Sequence, residues 1–209
     1  MKSAVILLED GTTIPAQSIG YEEITIGEIV FNTSMTGYQE IITDPSYDKQ
    51  IITFTNPHIG NTGINLDDYE SSTHGCSGII IRNYPTTGSS WRNEHEFIEF
   101  LKDKSISAVC SVDTRYLTSL LRNKGSLNGC IVPDIKNLDK AKILLSQFSG
   151  LNGLDLAKNV TTNKEYIWNE GTHDLIDIKS SKDQKRLKVF AYDYGCLLYT
   201  SPSPRDYPG

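Results

Sequence analysis

Polar residues with defined turn chemistry are concentrated in two stretches near the N-terminus. Residues 28–40 read Glu-Ile-Val-Phe-Asn-Thr-Ser-Met-Thr-Gly-Tyr-Gln-Glu, and residues 44–47 read Asp-Pro-Ser-Tyr. Because Pro45 fixes its own backbone, the second stretch can present the short hydroxyl of Ser46 at a domain edge. That hydroxyl could hydrogen-bond a polar ligand. The alternative is that it only closes its own turn.

The polar residues of the first stretch have a simple structural explanation. Asn32, Thr33, Ser34 and Thr36 can satisfy backbone groups where a strand ends, and Gly37 allows a left-handed turn. This scaffolding role is the preferred interpretation. Direct support of a ligand pocket or of a subunit contact is the alternative.

Three further polar residues suggest catalysis at first sight. His58 lies in a glycine-rich loop with Gly60 and Gly63, where a histidine is more often a hydrogen-bonding scaffold than a catalytic base. Asp113 is more simply a helix cap, and Arg115 a partner for a nearby carboxylate. We therefore predict no catalytic residue among them.

The cysteines do not indicate a metal or redox site. They stand at positions 76, 110, 130 and 196, form no C-x-x-C pair and match no zinc spacing. Cys110 and Cys130 lie within apolar runs, which is typical of reduced, buried thiols. We predict no metal site and no cofactor in this chain.

Composition excludes several function classes. The 209 residues are 38% hydrophobic and 22% charged, which is enough apolar material for one or two domains with a core. With a net charge of -6, the chain has no positive electrostatic potential that would attract a phosphate backbone, so no nucleic-acid partner is expected. No apolar run approaches the roughly 20 residues of a membrane helix. We expect no membrane partner and a cytoplasmic location.

The elements that would position these residues can be read from the hydrophobic pattern. Strands are predicted over residues 4–8, 12–19, 28–32, 50–55, 77–82, 105–112 and 127–132, with a hairpin turn at Asp10-Gly11. Helices are predicted over residues 93–104, after Asp113 as far as Gly125, and from Asn137 to Gly150. Hairpin-linked strands thus fill the first 85 residues or so, and helices and strands alternate after them. The pattern predicts a mixed α/β domain with parallel and antiparallel parts.

The last part of the chain has a different character. A polar connector is followed by Leu-Lys-Val-Phe-Ala-Tyr-Asp-Tyr-Gly at residues 187–195, a pattern typical of a buried strand that opens a doubly wound domain. Residues 196–209 then carry three prolines in their last eight positions, which forbids the helix that should follow. We expect those 14 residues to be a non-native tail on a truncated reading frame. A native C-terminal extension is the alternative.

Taken together with four other segments, the two polar stretches resemble the small subunit of glutamine-dependent carbamoyl phosphate synthetase. These segments are Asn-Pro-His-Ile-Gly-Asn-Thr-Gly at 56–63, Asp-Thr-Arg at 113–115, Asn-Gly-Cys at 128–130 and Gly-Leu-Asn-Gly-Leu-Asp-Leu-Ala at 150–157. The strand at 189–195 is similar to the first strand of that family's glutaminase domain. The resemblance covers about residues 3–195, with the segments in the expected order.

The resemblance implies a fold and an organisation. Residues 1–160 would form the family's N-terminal domain, a three-layer β/β/α swivelling domain with mixed sheets that docks on the large synthetase subunit. Residues 161–186 would be a linker. Residues 187–195 would be the first strand of a truncated class I glutamine amidotransferase domain, and 196–209 the non-native tail.

The resemblance also implies an activity. In this family a cysteine thiolate attacks the side-chain amide of L-glutamine, a His-Glu pair handles the protons, and the ammonia passes to the large subunit. ATP, magnesium and bicarbonate act on that large subunit, within a heterodimer that serves arginine and pyrimidine biosynthesis. One site residue carries over to this chain: Ser46 would contact L-glutamine from the N-terminal side.

The sequence departs from the family where the chemistry should be. A class I glutaminase carries its cysteine in a G-x-C-x-G elbow, and this chain contains no such motif. Cys196 follows a glycine but lacks the second glycine, and the downstream His and Glu are missing. Since a thiol without a base or an oxyanion hole is not a glutaminase, the chain by itself should be inactive. A stand-alone, non-catalytic docking module is the alternative function.

Overall fold

The computed structural model describes residues 2–71, 75–85, 87–167 and 188–194. The chain divides into two compact units, Met1–Leu154 and Asp155–Gly209. The first unit holds seven strands, and each of them confirms a strand predicted from the sequence. They are β1 Lys2–Leu8, β2 Thr13–Ser18, β3 Thr25–Asn32, β4 Gln50–Phe54, β5 Gly78–Ile80, β6 Ser107–Cys110 and β7 Leu127–Val132.

The strands close into one barrel in the order β1-β2-β6-β5-β4-β3-β7, with β7 returning to β1. The predicted mixed α/β class is confirmed, because β3 to β6 pair in parallel while β1, β2 and β7 pair antiparallel. Closure leaves no long unpaired edge between these strands. The strand pairing therefore gives a single barrel, and three separate layers are not distinguished.

One part of the predicted connectivity is wrong. β1 and β2 form the expected hairpin around Gly11, whose φ is 84°. The next strands are not linked by hairpins, because β4 pairs in parallel with both β3 and β5. A parallel pair needs a long crossover, and the one between β3 and β4 contains a helix that was missed, α1 at Tyr38–Thr43. Gly37 before it and Pro45 after it are the start and stop signals that could have revealed α1.

Three more helices pack on the barrel: α2 at Phe97–Asp103, α3 at Thr114–Lys124 and α4 at Leu138–Ser146. All three lie within the predicted helices. α2 begins four residues later than expected because the backbone of Glu94 and His95 pairs with Ile64 instead of starting a helical turn. Asp113 caps α3 as predicted, accepting a hydrogen bond from the Tyr116 backbone N–H at 3.0 Å.

The core explains why several strands are apolar on both faces. Alternate residues of β1 point into different clusters: Ile6 packs inside the barrel with Leu117 and Leu121 of α3. Val5 and Leu7 pack outside it, in the cluster that contains Ala141 and Leu145 of α4. A third cluster joins α1 and α2 to β4 and β5. Helices therefore cover the barrel at several places, and the crossover that contains α1 carries the polar stretches of interest.

The second unit is described only in part. It contains α5 at Leu156–Val160, whose first turn is capped by the Asp155 carboxylate. Residues 188–194 have no regular secondary structure, so the strand predicted from residue 187 is not seen over these positions. Their side chains are mostly exposed, and no neighbouring strand pairs with them within the described residues. Most of the linker at 161–186 and the whole tail at 196–209 lie outside the described residues.

Candidate functional site

Ser46 lies in a single 3-10 turn, Pro45–Tyr47, that follows α1. The Asp44 carboxylate accepts a hydrogen bond from the Ser46 backbone N–H at 2.8 Å, and the Asp44 carbonyl accepts one from the Tyr47 N–H at 3.1 Å. Asp44 thus closes the turn. The sequence had left open whether the Ser46 hydroxyl plays that role. Ser46 is exposed, and its hydroxyl has no hydrogen bond to any residue that the structure describes.

The turn is anchored to the end of β3. The Asn32 side chain donates a hydrogen bond from Nδ2 to the Tyr47 hydroxyl at 3.0 Å. Its Oδ1 accepts one from the Ser34 backbone N–H at 2.8 Å, which confirms the predicted scaffolding role of Asn32. The 28–40 stretch and the 44–47 turn are therefore coupled in the fold, and the exposed hydroxyl of Ser46 projects from a fixed backbone.

A cleft of about 360 Å³ opens beside α1. Two of the segments singled out in the sequence form most of its wall, and Asn65, Asp68 and the loop that carries Arg92 complete it. The lining residues are Met35, Thr36, Gly37, Tyr38, Gln39, Glu40, Asn56, His58, Asn61, Thr62, Gly63, Asn65, Asp68, Ser90 and Arg92. Ser46 is not among them, so the turn and the cleft are separate features of this crossover.

Hydrogen bonds hold α1 against the loop at 61–65. Gln39 Nε2 donates to the Asn65 carbonyl at 2.6 Å, and the Asn65 N–H donates back to Gln39 Oε1 at 3.1 Å. The Tyr38 hydroxyl donates to the Gly63 carbonyl and accepts from Thr62 Oγ1 at 2.9 Å. Gln39, Tyr38 and Asn65 are buried, so these bonds fix the cleft wall in a low-dielectric environment.

Close packing at the same wall requires a glycine at position 63. Its φ is 77°, a left-handed conformation that favours glycine. A Cβ at this position would lie 1.7 Å from Asn93 Oδ1, the atom that accepts a hydrogen bond from the Ile64 N–H at 3.2 Å. A side chain would therefore displace Asn93 and the loop that leads to Arg92.

Arg92 is held by two aspartates. Its guanidinium makes two hydrogen bonds to the Asp68 carboxylate, at 2.8 and 3.1 Å, and lies 3.4 Å from Asp67 Oδ2. Asp68 also accepts a hydrogen bond from Asn65 Nδ2 at 2.7 Å. This cluster was not predicted from the sequence. The two loops are 24 residues apart in the chain, and neither carries a recognisable motif.

Glu40 is the other charged residue of the cleft. Burial raises the pKa of its carboxyl above the ordinary value, and the nearby carboxylates of Asp68 and Glu70 raise it further. No lysine or arginine of the described ranges forms an ion pair with Glu40. Arg92 pairs with Asp67 and Asp68, and its charge lowers the pKa of Glu40 only in part against the effect of burial. The cleft therefore has an excess of negative charge.

The structure also places the other polar residues that were singled out in the sequence. His58 lines the cleft with an exposed side chain, and its backbone N–H donates to Asn56 Oδ1 at 3.0 Å. Arg115 is exposed on α3, and the carboxylate partner predicted for it is not found in the described part of the chain. Thr33 and Thr36 make no side-chain hydrogen bond like that of Asn32 within the described ranges.

Three of the cysteines are buried free thiols, as predicted. Burial raises the pKa of Cys76 to about 12 and that of Cys130 to about 11, and it also raises the pKa of Cys110. A raised pKa leaves less of the reactive thiolate at neutral pH, so these thiols are poor nucleophiles. Cys196 lies outside the described residues.

Among the residues with described positions, no three His, Cys, Asp or Glu side chains are grouped so that they could hold a metal ion. Likewise, none of the described helices is long and apolar enough to cross a membrane.

Known proteins similar to this chain share one description. A family model, "Carbamoyl-phosphate synthase small chain, CPSase domain", matches residues 6–131. The carbamoyl phosphate synthase small chain of Vibrio parahaemolyticus is 49% identical over 199 residues, covering 93% of this chain and 52% of that protein. The protein of the same name from Photobacterium profundum is 50% identical with the same coverage.

The chain spans about half the length of the curated relatives it matches. Among solved structures, an aminopeptidase from Aneurinibacillus sp. strain AM-1 matches 63% of this chain and 30% of that chain. Its sequence identity is 12% and its TM-score 0.33, which is too low to inform fold or function. Because the family model covers more than half of its residues, the chain belongs to the carbamoyl-phosphate synthase small chain family.

Proposed function

We propose that this chain is the N-terminal part of the glutaminase subunit of glutamine-dependent carbamoyl phosphate synthetase. In this role it docks on a large synthetase chain and contributes one wall of the glutamine site. The observation that carries the proposal is the identity of 49–50% over 93% of the chain to proteins named carbamoyl phosphate synthase small chain.

Ser46 is the residue proposed to contact L-glutamine. The family resemblance implies this role, and the geometry supports it. Ser46 is exposed, the Asp44 carboxylate fixes its backbone, and its hydroxyl is not used by the described residues around it. A hydroxyl in this position can donate to a carboxylate or accept from an ammonium group, and glutamine carries both.

The reaction itself is assigned to residues outside this sequence. The sequence contains no G-x-C-x-G elbow, and burial raises the pKa of all three buried thiols. We propose that the 209-residue chain alone hydrolyses no glutamine. ATP, magnesium and bicarbonate would act on the large chain, within a heterodimer serving arginine and pyrimidine biosynthesis, and no cofactor is assigned to this chain.

The finer structural assignments belong to the same proposal. The barrel and its helices would correspond to the swivelling domain at residues 1–160, followed by a linker at 161–186. Residues 187–195 would join a glutaminase domain as its first strand. A cytoplasmic location is supported by the three unpaired buried cysteines, which are typical of a reducing compartment.

The test is reconstitution with the large synthetase chain of the same organism. The complete product of the source gene is co-expressed with that chain, and carbamoyl phosphate formation is measured with glutamine or with ammonia. We expect both nitrogen donors to work. Ser46→Ala should raise the KM for glutamine about tenfold and leave the ammonia-dependent rate unchanged.

Ser119→Ala, at an exposed position of α3, is the matched control and should behave as wild type. If Ser46→Ala leaves the KM for glutamine unchanged, the role of Ser46 is wrong. If the two chains bind but glutamine supports no synthesis, the stand-alone docking module is the better function. If they do not bind, the whole proposal fails.

A further inference from the structure

Exposed apolar residues occur in the lining of the cleft described above and next to lining residues in the sequence. Met35, which lines the cleft, is 76% exposed. Trp91 lies between the lining residues Ser90 and Arg92 and is 86% exposed, and Leu66 follows the lining residue Asn65 and is 67% exposed. Large exposed apolar residues beside a polar cavity mark interaction sites, and Trp and Met are enriched in protein interfaces.

Charge at this surface is unbalanced. The carboxylates of Glu40, Asp67 and Asp68 lie in or beside the cleft, and the guanidinium of Arg92 is the cation that faces them among the described residues. Arg92 is already bound to Asp67 and Asp68, which leaves Glu40 without an ion-pair partner there. A partly buried carboxylate in this setting is stabilised by a cation supplied from outside.

The wall that carries Glu40 is rigid. The paired hydrogen bonds between Gln39 and Asn65 and the contact of the Tyr38 hydroxyl with the Gly63 carbonyl fix α1 before any partner arrives. A pre-formed site loses little conformational entropy on binding. This favours a docking surface over a segment that must fold first.

We propose that the cleft lined by Met35, Glu40 and Arg92, together with the neighbouring exposed residues Leu66 and Trp91, is a docking surface for a basic side chain of a partner protein. An arginine or lysine of the partner would enter the cleft and pair with Glu40. Apolar residues beside it would cover Trp91 and Met35. This inference rests on the proposed function, under which the partner is the large synthetase chain.

One other occupant fits the surface less well. A second copy of the chain would bring the same acidic surface and the same net charge of -6, so like charges would oppose each other.

The test measures binding of the 209-residue chain to the large synthetase chain of the same organism by isothermal titration calorimetry. We expect Trp91→Ala and Glu40→Gln each to weaken binding about tenfold. Trp91→Phe, which keeps an aromatic ring, should recover most of the affinity. Wild-type binding should weaken as salt is raised, and binding of Glu40→Gln should depend less on salt.

Matched controls separate a local effect from a general one. Tyr116→Ala removes an exposed aromatic ring from α3, and Glu99→Gln removes an exposed carboxylate from α2. Both should bind as wild type. Thermal unfolding of every variant is recorded. Trp91→Ala should keep the wild-type Tm and Glu40→Gln should not fall below it, which excludes loss of the fold as the cause.

Each outcome decides the question. Binding that is lost at Trp91 and Glu40 but kept in the controls supports the docking surface. If the wild type binds and both variants bind equally well, the docking surface is wrong while the proposed function stands. If the wild-type chain does not bind the large chain, or if sedimentation shows that these residues mediate self-association, the inference is overturned.

Discussion

The side chain of Gln39 and the backbone of Asn65 form a closed pair of hydrogen bonds, at 2.6 and 3.1 Å, between α1 and the loop that follows β4. Both residues are buried. The pair joins the 28–40 stretch to the loop that binds Arg92 and so defines the shape of the cleft. Loss of this pair of hydrogen bonds should therefore lower the free energy of unfolding of the whole barrel.

Replacing Gln39 with leucine should therefore destabilise the protein. The buried N–H and carbonyl of Asn65 would lose their partners, at a cost of about 2–4 kcal/mol in the free energy of unfolding. Urea denaturation checks this. Gln147→Ala, an exposed glutamine that follows α4, is the control and should change stability by less than about 0.5 kcal/mol. Equal stability of Gln39→Leu and wild type would show that the pair contributes nothing.

The turn that presents Ser46 should depend on Asp44. Asp44→Ala removes the acceptor for the Ser46 N–H and should lower the free energy of unfolding by about 1 kcal/mol. Asp44→Asn keeps a side-chain oxygen and should recover most of that loss. Chemical denaturation of the two variants side by side gives the comparison, and an Asp44→Asn variant as unstable as Asp44→Ala would contradict the capping role.

The Glu40 carboxyl should make the stability of the folded protein depend on pH. Burial, followed by Asp68 and Glu70, raises the pKa of its carboxyl above 4.5 in the folded protein. The folded state therefore holds this proton more tightly than the unfolded chain, and stability falls as pH rises through the folded-state pKa. Glu40→Gln removes that penalty and should be more stable than wild type at neutral pH.

The measurement is the free energy of unfolding of both proteins from about pH 4 to about pH 7. The advantage of Glu40→Gln should be small at the acidic end and should grow toward neutrality. Glu99→Gln controls for the loss of one negative charge at an exposed position. An advantage that is constant with pH would mean that the Glu40 carboxyl is not perturbed.

The buried thiols should resist modification. Since burial raises the pKa of Cys76 to about 12 and that of Cys130 to about 11, iodoacetamide at pH 8 should leave both unmodified in the native protein. Unfolding in urea should expose them to full labelling. Mass spectrometry of the digested protein assigns the modification to each cysteine, and rapid native labelling of Cys76 would show that the core opens there.

The apolar side chains near the end of the chain should promote self-association. Val189, Phe190 and Tyr192 are largely exposed in the described segment 188–194. We expect the 209-residue chain to be less soluble than a version that ends at Lys182, because exposed apolar segments with strand propensity aggregate. Sedimentation velocity at matched concentration compares them. Monomers in both samples would remove the basis for this expectation.

Local physics explains which features could be read from the sequence. The Asp10-Gly11 hairpin, the Asp113 cap and the Asn32 contact with Ser34 all depend on residues within a few positions of each other. The strands could be predicted because each is a short apolar run in the sequence. Such features follow from backbone geometry and side-chain reach, which are present in the sequence itself.

The tertiary structure alone decided which distant segments meet. Arg92 contacts Asp68 across 24 residues of chain, and β7 returns to close the barrel against β1, more than a hundred residues away. Neither contact leaves a periodic signal, because each depends on crossovers whose direction is set by packing of the whole core. The sequence by itself determined the family, the strands and the turn around Ser46. Only the fold brought together the distant residues that line the acidic cleft.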